Sequence, residues 1–193
     1  MMIELINDAG MEEALLGLGL SYGLTSDISA YEYYRRLGCI DSEEDELLGR
    51  LRKVAKSLAK KDGGHNCFLE QIVLWLDIKA PRYWWQQFDR YKVGTARLSE
   101  STMHTIGKRD LTPDDFENGA EIPDEYFTFI NRLDRLNRKS FLLESFLQRR
   151  ICLISMKALK NMYFQRRSHA LSEWQTFCDF CEKDVPYFKE WFL

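Results

Sequence analysis

Residues 63 to 71 read GGHNCFLEQ, which sets His65, Cys67 and Glu70 at i, i+2 and i+5 behind a double glycine suited to ending a helix. A histidine, a thiol and a carboxylate at that spacing could address a ligand, or His65 could cap the last carbonyls of the preceding helix. Both readings are open on spacing alone. Gln87 and Arg90 are three apart, hence on nearly one helix face, where an amide and a guanidinium can serve the same ligand. Lys157 and Asn161 are four apart and share a face, whereas Arg166 is five further on and points elsewhere. Arg166 and Arg167 sit late in a helical pattern, where the helix dipole alone favours basic residues, so one of the two is expected to face a ligand. Cys178 and Cys181 form a CxxC with helical spacing and no second cysteine or histidine pair at a zinc-binding interval, so they read as core packing and no metal is expected.

These groups need elements to hold them. MIELI has strand composition, and MEEALLGLGLSYGL carries apolar residues on a helical period after an early acidic pair. SEEDELLGRLRKVAKSLAKKDGG is the clearest helix, with Leu47, Leu48, Leu51, Val54 and Leu58 on one face and Gly63 as the stop. IVLWLDIKA reads as a strand, and Pro81 suits the first turn of an aromatic-rich helix, whose RYWW is expected in the core or at a subunit contact. VGTARLSESTMHTIGKRDLTPDDFENGAEIP has the polar and glycine content of a long functional loop. From about Asp124 onward the pattern is mostly helical. Together the segments predict a single α+β domain over residues 1–193 with a helical C-terminal half.

With 193 residues, 45% hydrophobic and 13% aromatic, the chain can bury one sizeable core. A formal net charge of −3 with both signs interspersed argues against a general nucleic-acid or membrane-surface binder, so an anionic ligand must be met by local arginines, with Arg90, Arg97 and Arg166 the available set. Bidentate arginine suits phosphate best. MMIELINDAG does not resemble a signal peptide, and no run of ~18 apolar residues occurs, so the expected location is the cytoplasm. Five scattered cysteines there read as reduced thiols.

Read as one unit, GGHNCFLEQIVLWLDIKAPRYWWQQFDRYK resembles the flavin-dependent thymidylate synthases. In that family a segment G-H-x-S/T-x-x-E-H precedes a strand, and the following helix ends in Q-x-x-R-H-R before a loop x-x-S-x-N-E-x-S-x-R-Y. Gly64, His65, Cys67 and Glu70 fall on the first segment, and Arg82, Gln87 and Arg90 fall on the helix without a gap. SMKALKNMYFQRRSHALSEW is similar to the family's N-x-R-x-x-x-N-x-x-x-x-R and H-A-Q-x-E, with Ser155, Lys157, Asn161 and Arg166 in the first four places and His169, Ala170 and Glu173 after them. Three departures stand out: Tyr91 replaces a histidine, Lys92 an arginine, and Gln71 a histidine. A gapless reading of the loop puts Leu98 at the family's glutamate and Glu100 at its serine. With two residues inserted, Ser99, Glu100, Thr102 and His104 take the places of Asn, Glu, Ser and Arg, which restores the carboxylate.

The resemblance implies a small, mostly antiparallel sheet with packed helices, and a homotetramer whose flavin sites are shared between subunits. It implies FAD bound by His65, Cys67, Glu70, Tyr91, Lys92, Lys157 and Asn161, and the nucleotide dUMP bound by Gln87, Arg90, Glu100, Ser101 and Arg166. Arg90, Tyr91 and Glu100 are then the expected catalytic positions. A further arginine function would fall to Arg138 or Lys139. The implied reaction methylates dUMP to dTMP with methylenetetrahydrofolate and NADPH, in a phage-type member of the family. The flavin carries the one-carbon unit and the hydride, so no cysteine nucleophile is required. The altered R-Y-K triplet also admits another flavin-dependent C5 modification of a pyrimidine nucleotide, or a non-catalytic nucleotide-binding homo-oligomer. No membrane and no sequence-specific nucleic acid is expected as a partner.

Overall fold

A computed structural model describes residues 1–38 and 45–193. Four antiparallel strands, β1 (Met2–Ala9), β2 (Val73–Pro81), β3 (Thr95–Ser99) and β4 (Leu147–Ser155), lie in the order β1-β2-β4-β3. Helices α1 (Met11–Ser21), α2 (Ala30–Gly38) and α3 (Glu46–Ala59) precede β2. Helix α4 (Arg82–Phe88) follows it, and α5 (Thr102–Thr105), α6 (Asp124–Arg132) and α7 (Arg135–Ser140) lie between β3 and β4. Helices α8 (Met156–Arg166), α9 (Ser172–Asp184) and α10 (Phe188–Phe192) close the chain. The architecture is α+β.

Strand alternation decides which face is covered. On β2, Leu74, Leu76, Ile78 and Ala80 are fully buried, while Trp75, Asp77 and Lys79 between them are only half-buried. The buried face meets Trp84, Trp85 and Phe88 of α4, Leu159 and Met162 of α8, and Trp174 and Phe177 of α9 in one cluster. Each such side chain contributes about 1.5–3 kcal/mol on leaving water. The expectation that RYWW is core therefore holds for both tryptophans. Cys178 and Cys181 belong to the same cluster, and burial pushes the Cys178 thiol up to about 11.

Helix α3 is the amphipathic helix the sequence predicts. Leu48, Leu51 and Leu58 are buried, Leu47 and Val54 half-buried, and the Asp45 carboxylate caps its start by accepting from the Leu47 and Leu48 N–H groups. The acidic lead-in expected at 42–44, and Cys39, lie outside the described residues. The chain reverses at Gly63, whose φ of +71° is open to glycine at little cost, and GGHNCFLE then winds as a 3₁₀ segment, Gly63–Glu70, kinked at Asn66.

Two expectations need correction. The stretch from 93 to 123 is not a structureless loop, because it holds β3, α5 and two 3₁₀ turns over Pro113–Asp115 and Gly119–Glu121. The region after Asp124 is mostly helical, but β4 interrupts it and is an inner strand of the sheet, paired on both sides. Between β3 and β4 a second small core forms from Ile106, Leu111, Phe116, Ile130, Leu142 and Phe146.

Candidate functional site

Helix α8 is the wall on which two distant segments meet, the 3₁₀ segment and the end of α4 with the turn after it. At its start the Lys157 ammonium pairs with the Glu70 carboxylate at 2.6 Å and reaches the Gly63 carbonyl at 3.4 Å, so the 3₁₀ segment is tied to it. Next to this the Ser155 N–H donates to the Gly94 carbonyl at 2.7 Å, and a Cβ on Gly94, whose φ is +70°, would lie 2.4 Å from Ser155 Oγ. Glycine is required there for the 92–94 turn to close on the helix. At the far end of α8, Arg166 meets the end of α4 and the turn after it. Its Nε donates to the Tyr91 hydroxyl at 2.9 Å and its Nη1 to Gln87 Oε1 at 3.3 Å. The guanidinium also lies over the rings of Trp174 at 4.8 Å and Tyr91 at 5.7 Å.

The charges are sorted unevenly. No carboxylate among the described residues pairs with Arg166 or Arg90. Arg97, counted with them in the sequence, is instead bound to Asp89 at 2.8 Å, and Asp89 also holds Arg150 at 2.9 Å. Arg97 and Arg150 thus fix the turn from which Arg90 and Tyr91 project. Of the neighbouring pair, Arg166 enters the cluster while Arg167 lies over the Tyr163 ring at 5.6 Å. Arg138 is buried and donates to the carbonyls of Ile106, Arg109, Asn131 and Leu133, so it locks the second core and is not a ligand arm; Lys139 beside it is exposed.

His65 and Cys67 are exposed on the 3₁₀ segment, and Asn161 is exposed one turn along from Lys157. The capping role weighed for His65 falls to other groups. The amide of Asn66 donates to the Lys61 carbonyl at 2.5 Å, and the buried Lys160 ammonium reaches the Lys60 and Lys61 carbonyls at 3.3 and 3.0 Å and Asp62 at 3.1 Å. His65, Cys67 and Glu70 are thus exposed polar groups on the 3₁₀ segment that Lys157 ties to the start of α8, with Asn161 exposed on α8 and Lys92 on the adjoining turn. These groups, with Lys92 as the exposed cation and Lys157 paired to Glu70, offer donors to a phosphate-bearing cofactor.

Glu100 and Ser101 do not join this cluster within one chain. Strand β3 lies between Gly94 and Glu100 and spans about 17 Å at its usual rise. Glu100 instead borders a cavity of about 470 Å³ shared with Met2, Glu4, Asp77, Lys79 and Arg149, on the side of the sheet away from the helices. Burial raises its pKa above the ordinary 4.5, with Lys79 opposing. Ser101 is exposed at the start of α5.

Sequence reasoning missed Trp174 and Gln165. Trp174 donates its indole N–H to Gln87 Oε1 at 2.9 Å, and the Tyr91 hydroxyl donates to Gln165 at 2.9 Å. Trp174 directly follows the matched Glu173, whose carboxylate accepts a short hydrogen bond from Tyr83 on α4. The signal was a buried tryptophan beside an acid, which spacing alone cannot separate from ordinary core.

No protein-family model matches the sequence, and no curated protein matches it. Solved structures do. A flavin-dependent thymidylate synthase ThyX from Helicobacter pylori complexed with FAD and dUMP superposes with a TM-score of 0.70 at 14% identity, over 99% of this chain and 98% of that one. A second structure of the same enzyme with FAD and dUMP gives 0.70 and 14% over 98% and 96%. The chain has the fold of these enzymes along its whole length.

Proposed function

We propose that this protein is a divergent flavin-dependent thymidylate synthase-like enzyme that binds FAD and dUMP and methylates the nucleotide to dTMP, with methylenetetrahydrofolate and NADPH as co-substrates. The observation that carries the reading is the meeting of the other two matched segments on α8, which begins the third, in a fold that solved enzymes holding FAD and dUMP share from end to end. His65, Cys67, Glu70, Lys157 and Asn161, with Lys92 and Tyr91 from the adjoining turn, would hold FAD. FAD bound there and reduced by NADPH would relay the hydride, and the one-carbon unit taken from methylenetetrahydrofolate, to the pyrimidine. The chain's own work is to orient and polarise: Arg166 and Arg90, unpaired with any carboxylate among the described residues, hold phosphate or a carbonyl oxygen, and Gln87 addresses the same ligand.

Glu100 and Ser101 would complete the site from a neighbouring subunit of a homotetramer. Two observations support this: Glu100 borders the cavity on the helix-free face with Asp77, Lys79 and Arg149, and on that face Leu98 is 80% exposed beside Ile151. A carboxyl whose pKa burial raises above the ordinary 4.5 suits proton handling there. Buried cysteine thiols support a reducing, cytoplasmic setting.

A second reading is favoured by Tyr91. Its hydroxyl accepts from Arg166 and donates to Gln165, so a neutral phenol, already engaged, stands where the family has histidine. That favours another flavin-dependent C5 modification, or nucleotide binding without turnover. Incubation with FAD, dUMP, methylenetetrahydrofolate and NADPH separates the two. Formation of dTMP supports the synthase, nucleotide binding without dTMP supports the second reading, and failure to bind either FAD or dUMP refutes both.

A further inference from the structure

The two ends of the Gln87 amide are used differently. Its Oε1 accepts two N–H donors, Trp174 Nε1 at 2.9 Å and Arg166 Nη1 at 3.3 Å. Turning the amide over would face its NH₂ group against both donors, so the network fixes the orientation. The Nε2 end has no hydrogen-bond partner among the described residues. Trp174 cannot follow Gln87 if it moves, because it is fully buried between Trp84 at 4.7 Å and Phe177 at 5.5 Å. Its ring also underlies the Arg166 guanidinium at 4.8 Å. One indole therefore sets both a donor's direction and a cation's place.

We infer that Trp174 is a positioning residue that locks Gln87 as a hydrogen-bond donor, so that the ligand atom Gln87 meets is an acceptor oxygen, either a pyrimidine carbonyl or a phosphate oxygen. The inference rests on the nucleotide reading above. An exocyclic amino group at the same place would bring N–H against N–H and be rejected, since an unpaired donor in a partly buried site is costly. Arg166 is limited in the same manner. With Nε given to Tyr91 and one Nη1 hydrogen to Gln87, it is left with the second Nη1 hydrogen and the two on Nη2 for the ligand.

Calorimetric titration of wild type, Trp174→Phe and Gln87→Glu with dUMP, deoxyuridine and dCMP tests this. Trp174→Phe keeps an aromatic ring beneath Arg166 and removes the indole N–H along with part of the ring volume; Gln87→Glu replaces the outward donor by an acceptor. If Gln87 meets a base carbonyl, both variants narrow the preference for dUMP over dCMP, with Gln87→Glu losing about tenfold or more in dUMP affinity. If it meets phosphate, both weaken dUMP but leave deoxyuridine unchanged. Wild-type affinities for all three ligands in both variants overturn the inference and leave the nucleotide reading standing. A wild type that binds none of the three sinks the nucleotide reading, and side-chain NMR then decides the orientation. An exchange-protected Trp174 indole proton beside freely exchanging Gln87 amide protons upholds it; an unprotected indole overturns it.

Discussion

Arg166 is the cation whose neighbours are all neutral: a phenol, an amide and two aromatic rings hold it, and no carboxylate among the described residues spends its charge. Arg166→Ala should therefore cost about 1.5–3 kcal/mol in dUMP affinity, roughly a ten- to hundredfold loss by calorimetry. Tyr91→His with Lys92→Arg should act differently, raising dTMP formation in the coupled assay while changing dUMP affinity little, because the field at a flavin edge changes more than the phosphate contact does. The candidate residues were legible because chemistry-bearing types recur at fixed spacings, and Gln87, Tyr91 and Arg166 do come together. Trp174 was not legible, since its role depends on which way a buried indole faces. Arg97 and Arg138 were misread for a related reason: an arginine's type does not disclose whether Asp89 or a ring of carbonyls already holds it.

At the scale of elements, α8 does the assembling, and Lys160 ties it to the end of α3. Lys160→Met should cost about 1–3 kcal/mol in thermal unfolding, because the Lys60 carbonyl loses its donor and Asp62 its partner. Glu70→Ala is the contrasting case. Its pair with Lys157 is exposed, so stability should shift by less than about 1 kcal/mol, while retained FAD should fall. Acid stability belongs to the segment between β3 and β4. Burial works to raise the Asp115 pKa, but the Arg109 bond and the Thr112 N–H outweigh it and bring it below the ordinary 3.8. A lowered carboxylate pKa stabilises the fold above 3.8, and that contribution is lost as pH falls through the folded value. Asp115→Asn should therefore flatten the loss of melting temperature below pH 3.8. Helix α3 was readable from its period and strand β2 from its branched and aromatic composition. Strand β3 was not, being a five-residue edge strand half open to solvent, and neither was β4. In LQRRICLIS two long basic residues imitate a helix end, and only pairing on both sides makes the segment a strand.

At the scale of the molecule, the helices cover one face of the sheet and leave the other bearing Met2, 60% exposed, Leu98, 80% exposed, and the cavity beside Glu100. A second copy docked there would bury apolar surface and carry its Glu100 toward a site it does not reach within its own chain. Wild type should sediment as a tetramer, and Leu98→Lys should shift it toward smaller species with parallel loss of flavin; a monodisperse wild-type monomer would remove the shared-site account. The central claim, that the polar residues of the 3₁₀ segment and the start of α8 form a flavin site, has a more direct test. It is the absorption spectrum of the purified protein after incubation with FAD and removal of free cofactor. The account predicts a yellow protein with flavin bands near one FAD per chain and clear loss of those bands in Glu70→Ala; a colourless wild type under the same treatment would contradict it.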